Sequence, residues 1–383
     1  MAMSVETTCA RVESARIAVA ATQRNLMEHD LIVPDVKPDM GRILHVDACP
    51  RITHVETSAG MVTAGGIIEY NVIYRGEKPE DGKVTRFTST PAFTFSYENP
   101  EILPDLLCSV ACETEHLEAD LKNGRKLSIS LIVSANIRLS RSTALEIPVD
   151  VTGLEEIQTL TGSLTGNSCF AVLQNKADIQ GQVPVPNGKP AARDLLYHRA
   201  RIKNCQCDET VEGVVMNGVL DLVVFYVSDD EDSSFQVFES EISFSATAGD
   251  PARIEKALWF VSSVQLEQVS CSIGEDSDGD TRMIQVEASA FFEVEGYAQR
   301  TLVYLEDAYS LSSPIQVKKE QAPLEMLHHT GHFQISGRDL LSPGKDMPEI
   351  SEVLHAWCIP MITSSEITDG RLSLEGYFEV VTV

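Results

Sequence analysis

No stretch of this chain reaches the roughly 18 uninterrupted apolar residues that a membrane-spanning helix needs; its best apolar runs are strand-length. Cations are scarce. Thirty Lys and Arg stand against 57 Asp and Glu, a formal net charge of −27. Such a surface is repelled by the phosphate backbone of nucleic acid and by anionic membranes, so neither is an expected partner. The N-terminal stretch holds Glu6 and Glu13 where a secretory leader carries a basic end and a long apolar run. The chain is therefore expected to be soluble and made in the cytosol, with no membrane insertion. Aromatic residues are 6% of the total, with Trp259 and Trp357 the two tryptophans. That is thin material for a carbohydrate-stacking surface.

Catalytic signatures are missing as well. There is no G-x-S-x-G, no phosphate-binding Gly-rich loop ahead of a helix, and no carboxylate pair singled out for acid–base work. The nine cysteines are odd in number and form no C-x-x-C, unlike a secreted disulfide framework. They are expected to be buried free thiols of a reducing compartment. His328, His329 and His332 have no acid or thiol at ligand spacing nearby and read as an exposed loop. Residues 276–280, DSDGD, open like a calcium loop, but an EF-hand needs six spaced ligands with a closing Glu between helices. An acidic hairpin tip is the expectation. No catalytic, cofactor-binding or metal residue is assigned, and no enzyme is expected.

What is present is a repeat. Hydrophobic residues at 43% and charged ones at 23% are globular composition, and 383 residues are enough for several domains. Three segments, VPDVKPDMGRILHVDA from Val33, VPNGKPAARDLLYHRA from Val185 and SPGKDMPEISEVLHAW from Ser342, align on Pro38, Pro190 and Pro348. The spacings are 152 and 158 residues. Each copy has apolar residues at i, i+3 and i+4: Met40, Ile43, Leu44; Ala192, Leu195, Leu196; Ile350, Val353, Leu354. With Pro at the first turn, that spacing predicts one short helix per unit, docked on a larger β unit.

After each segment comes a run rich in β-branched and aromatic residues, at 61–74, 214–226 and 372–383, which reads as a strand. Gly66, Gly218 and Gly376 fall within these runs and mark bulges or close backbone approaches. Tyr74 and Tyr226 end the first two. Further on, Asn123-Gly124 between two long alternating runs is a hairpin signal. Its counterpart is residues 274–280, between runs at 260–272 and 283–294.

The expected fold is all-β: tandem antiparallel sandwich- or barrel-like repeats, each with one short helix. Residues 31–153 and 179–310 form domains 1 and 2, and 333–383 an incomplete third. Lead-in strands occupy 1–30, 154–178 and 311–332. By the spacing of the first copy, the third unit stops one position short of its tyrosine and lacks its back half. Its unpaired edges and bare core face should aggregate or find a partner.

These residues resemble the SPOCS-domain family of spore-coat proteins, the SipL-like coat morphogenetic proteins. Lys37, Pro38, Asp39, Ile43, Leu44, Val46 and Asp47 match the opening of that domain. Gly66 and Tyr74 match its next strand, and Asn123, Gly124, Arg125 and Leu127 its hairpin. The second unit keeps Lys189, Pro190, Leu196, Gly218 and Tyr226, with Ala191 where the family prefers an acid and an acidic hairpin around Gly279. The third keeps Pro348, Glu349, Ile350, Val353, Leu354 and Gly376. These are structural signatures.

The resemblance implies a coat-assembly role in the mother-cell cytoplasm and then on the forespore surface. Other coat proteins, among them the coat basement ATPase, are the implied partners. Family members bind that ATPase through a C-terminal LysM domain, and no LysM segment appears before Val383. The expected function is thus a non-enzymatic coat scaffold acting through β-domain contacts. The alternative is a self-assembling homo-oligomeric filament or appendage subunit, its third unit completed by a neighbour's strand such as that around Ala15–Ala21. Cell-wall carbohydrate binding is a third reading with less support.

Overall fold

The computed structural model describes residues 5–78, 84–153, 155–211, 213–230, 234–248, 259–312, 314–321, 326–331, 334–342, 350 and 353–382. The first unit contains β1 (Glu6–Ile32), β2 (Met40–Ser58), β3 (Met61–Gly76), β4 (Val84–Ser89), β5 (Ala92–Glu98), β6 (Leu107–Asn123) and β7 (Lys126–Thr152). They form two antiparallel sheets. One has the order β1-β7-β6; in the other, β3 pairs with β2 on one side and with β4 and β5 on the other.

Strict alternation dictates how these sheets face each other, because successive side chains of a strand point to opposite sides. Leu127, Ile129, Leu131, Val133, Ala135, Ile137 and Leu139 of β7 are all buried, as are Val62, Ala64, Ile68, Tyr70, Val72 and Tyr74 of β3. Both sets belong to one core. The unit is therefore a β-sandwich, which settles the choice that the sequence left open.

The second unit repeats the plan with β8 (Ile157–Pro184), β9 (Ala192–Thr210), β10 (Gly213–Ser228), β11 (Phe235–Ala248), β12 (Trp259–Gly274) and β13 (Met283–Ser310). Its sheets are β12-β13-β8 and β11-β10-β9. The core is again one set of alternating residues from each, including Ile284, Val286 and Phe292 against Met216, Leu220 and Leu222. Between the first two lead-in stretches and the third, the outcome differs. β1 and β8 are long strands, whereas the described part of 311–332 has only one bridge, Leu327 to Asn167. The third unit shows one hairpin, β14 (Ala356–Thr368) and β15 (Arg371–Thr382).

No helix occurs among the described residues, which corrects the expected helix of each unit. The segments after Pro38 and Pro190 are the starts of β2 and β9. The helical spacing arises from β-bulges. Met40 pairs with Gly76 and Arg42 with Arg75, leaving Gly41 extra; Ile43 pairs with Tyr74 and His45 with Ile73, leaving Leu44 extra. In β9 the extra residues are Arg193 and Leu196, each 152 positions further on. An inserted residue shifts which face its successors occupy, so apolar side chains three and four apart can both meet apolar surface on a strand. Leu195 accordingly faces the core of its unit, while Leu196 lies in a separate cluster on the other side of the sheet. In the third copy Ile350, Val353 and Leu354 are outside any strand, and Pro348 lies outside the described residues.

Candidate interaction surfaces

The family-motif residues converge on an arch that carries the chain from the end of one sheet to the start of the other. In the first unit, residues 33–39 make a turn closed by Lys37 N–H donating to the Pro34 carbonyl at 2.9 Å. The β6–β7 turn docks on it: Val33 N–H donates to the Arg125 carbonyl at 3.0 Å and Met40 N–H to the Gly124 carbonyl at 2.7 Å. Arg125 then reaches back. Its Nη1 donates to the Lys37 carbonyl at 2.9 Å and its Nη2 to the Val33 carbonyl at 3.0 Å, with Asp35 and Asp39 as counter-ions. Beneath the arch the buried Tyr74 hydroxyl donates to the Pro38 carbonyl at 2.8 Å. Pro offers only its carbonyl, and arch carbonyls lifted off both ladders need donors from elsewhere.

The second arch is built the same way. Tyr226 donates to the Pro190 carbonyl at 2.9 Å, Val185 N–H to the Arg282 carbonyl and Ala192 N–H to the Thr281 carbonyl. Arg282 takes the place of Arg125, with Nη1 to the Lys189 carbonyl at 2.9 Å and Nη2 to those of Val185 and Pro186 at 3.3 and 3.2 Å. Ala191 at the position of Asp39 removes one counter-ion and leaves the carbonyl contacts standing. Sequence reasoning missed Arg282, because the turn beside it changed from Asn-Gly to an Asp-rich loop. The signal was available in its spacing of 157 residues from Arg125. These arches hold backbone in place with side-chain donors; no nucleophile or proton relay is assembled there.

The glycines mark the bulges expected of them. Gly66 lies opposite Ile52 beside the Ile52/His54 register shift, and Gly376 opposite Ile362 beside the Ile362/Ser364 shift. A Cβ at Gly66 would strike the Arg51 carbonyl oxygen, and one at Gly376 the Met361 carbonyl oxygen. The third hairpin is thus the β2–β3 hairpin again, 310 residues on.

A second surface forms where the units meet. His45, Tyr197 and His355 occupy equivalent repeat positions, as do Asp47, Arg199 and Trp357. They come together on the outer faces of β2 and β9 and at the start of β14, with His355 just before it. The His45 ring lies 5.3 Å from Tyr197 and 6.2 Å from Trp357, and the Arg199 guanidinium stands 4.6 Å over the Trp357 ring. Phe225 packs edge-on to His355, whose Nδ1 is 3.2 Å from Glu239. Burial pushes the His45 imidazole below its ordinary range, and Arg199 across the joint adds to this while Asp47 opposes it. Burial likewise holds the nearby His198 low, with Arg86 close by. His45 Nε2 and His198 Nδ1 are buried without a hydrogen-bond partner. Further along, Arg138 of β7 pairs with Glu295 of β13 at 2.8 Å. The joint pairs unlike residues at like positions, which is why the sequence did not disclose it.

The remaining candidates are plain. Asp276 Oδ1 accepts the N–H groups of Asp278 and Asp280, both at 3.0 Å, so that carboxylate holds its own hairpin tip. His328 and His329 are exposed, and His332 lies outside the described residues. No group of three metal-ligating side chains occurs among the described residues. All nine cysteines are free, yet only Cys169 is fully buried, while Cys9, Cys49 and Cys358 are exposed. This corrects the expectation of uniformly buried thiols: several sit on strand faces that no second sheet covers. No helix is long and apolar enough to cross a membrane among the described residues.

Residues 39–122, from the arch through β6, match the family model described as SipL, SPOCS domain. The chain carries a SPOCS domain. The match spans the sheet β2-β3 with β4 and β5, plus nearly all of β6, and so includes the β2 bulges, Gly66 and Tyr74. The SPOCS family is one of structural sporulation proteins, not an enzyme family, and points to a spore-coat role. No curated protein and no solved structure matches the chain. Extension of the SPOCS plan to the second unit stands on the repeated arch, clamp and bulges.

Proposed function

We propose that this SPOCS-domain chain is a non-enzymatic scaffold of the spore coat, which recruits or anchors coat proteins through contacts made by its β domains. The observation that carries the reading is the SPOCS match at residues 39–122, set in a β-sandwich plan that the second unit repeats.

The filament reading that relied on strand donation by the stretch around Ala15–Ala21 loses its donor. That stretch is paired with β7 in its own unit, from Ala15 with Ser142 to Ala21 with Ile137. A carbohydrate surface loses Trp357, which lies in the joint beneath Arg199. A fluorescent fusion in sporulating cells tests the scaffold. It should ring the forespore from the mother-cell side, and a signal that stays diffuse throughout sporulation would refute the assignment.

A further inference from the structure

The second arch differs from the first in the charges around its clamp. Arg125 sits between two carboxylates, Asp35 at 3.0 Å and Asp39 at 3.1 Å. Their equivalents, 152 residues further on, are Asn187 and Ala191. Arg282 keeps its carbonyl contacts and, among the described residues, forms no ion pair. The amide of Asn187 is thus one hydrolysis away from the counter-ion that the same position carries in the first unit.

The next residue makes that conversion accessible. Lys189 N–H closes a turn on the Pro186 carbonyl at 3.1 Å, and Gly188 holds a φ of 94° at its third position. A turn of that type calls for glycine there. Glycine also leaves its main-chain nitrogen unshielded, so that nitrogen can attack the side-chain carbonyl carbon of Asn187. A C–N bond forms, the bond to the side-chain nitrogen breaks, and ammonia leaves with the proton from Gly188. Water then opens the five-membered imide at either carbonyl, giving aspartate or isoaspartate. Both products carry a carboxylate, water is the only co-reactant, and nothing is oxidised or reduced.

The chain has three Asn-Gly pairs, and the structure ranks them. Asn123 Oδ1 accepts the Arg125 N–H at 2.9 Å, a bond that must break before its carbonyl carbon can be attacked. Asn217-Gly218 lies within β10, laddered to β9 on one side and β11 on the other. There the extended main chain keeps the glycine nitrogen from turning onto the side chain. Asn187 is exposed, lies outside any strand, and makes no side-chain hydrogen bond among the described residues.

We propose that Asn187 is a self-modification site: it deamidates through Gly188, and the carboxylate so formed becomes the counter-ion that Arg282 lacks. The second arch then acquires with age the ion pair that the first arch has from synthesis.

Peptide mapping by mass spectrometry of the full chain, incubated at mildly alkaline pH, tests the modification. The peptide carrying Asn187 should gain one mass unit about fivefold faster than the one carrying Asn123, the cost of breaking one hydrogen bond. Asn217 should be slower still, and Asn187→Gln, which would need a six-membered ring, should show no gain. Conversion at Asn187 no faster than at Asn123 would overturn the site. The counter-ion is tested separately by Asn187→Asp, which installs the carboxylate at once. It should raise the folding equilibrium constant of the second unit by about two- to fivefold, as an exposed ion pair does. That gain should vanish in an Arg282→Met background and, in the otherwise native chain, shrink in high salt. An equal gain with and without Arg282, or one that salt leaves unchanged, would overturn the pairing.

Discussion

Replacing Arg282 by Met tests the arch directly. The guanidinium donates to three carbonyls, those of Lys189, Val185 and Pro186. Hydrogen bonds from a charged donor contribute roughly 1.5–3 kcal/mol each when well formed. Two of these are long, at 3.3 and 3.2 Å, and the side chain is half-buried, so water can replace part of what is lost. A net cost of about 2–4 kcal/mol follows from one good and two partial bonds of that class. Met retains most of the aliphatic packing, so the loss reports the donors. Arg282→Lys should restore little, because an ammonium cannot fork to carbonyls on both sides of the turn. Urea unfolding followed by Trp259 fluorescence in a Trp357→Phe background reads the second unit, since Trp259 opens β12. The control is Lys176→Met, which removes an exposed ion pair to Glu267 worth roughly 0–1 kcal/mol. If Arg282→Met costs no more than that control, the guanidinium is not what holds the arch.

Gly66→Ala should cost roughly 1–3 kcal/mol, as overpacking against backbone does, because the new methyl meets the Arg51 carbonyl oxygen; a melting curve that matches wild type would refute the close approach. The joint should weaken in mild acid. His45 and His198 are held below the ordinary imidazole range by burial, so the folded state favours their neutral forms. Their contribution is complete above the ordinary value of about 6.5 and declines as pH falls below it. Arg199, Arg86, Tyr197 and Trp357 offer no counter-ion, while Asp47 and Glu69 offer partial ones. Unfolding midpoints at pH 7.5 and 5.5 should therefore differ less in His45→Phe than in wild type; an equal difference would refute this. Thiol alkylation should be fast at exposed Cys9 and Cys358 and slow at Cys112 and Cys271, whose thiols burial pushes up to about 11 and 12. Mass spectrometry after brief iodoacetamide treatment reads the order.

The parts of the fold that were legible in the sequence are those where one residue type serves one backbone need. Pro38 and Pro190 mark the arches, Gly66 and Gly376 the bulges, Tyr74 and Tyr226 the hydroxyls beneath, and Asn123-Gly124 a hairpin. The helices were misread because Gly41, Leu44, Arg193 and Leu196 are bulge residues. A strand with two insertions spaces its apolar residues as a helix does. Arg282 was hidden by a changed turn. The joint was illegible for a different reason: contacts between repeats join His45 to Tyr197 and Arg199 to Trp357. Such pairing leaves no repeated motif. The covering of β3 by β7 was readable only as alternation on both strands, and alternation does not say which two faces meet.

β14–β15 repeats the β2–β3 hairpin, and in this chain its face equivalent to the β3 core face is exposed. A two-stranded hairpin with no sheet upon it is marginal in water. Backbone hydrogen exchange by mass spectrometry compares residues 371–382 with their equivalents in β3 and β10 within one sample. The account predicts that β15 amides exchange much faster than those of β3 and β10. Protection of β15 equal to that of β3 in the isolated chain would contradict it.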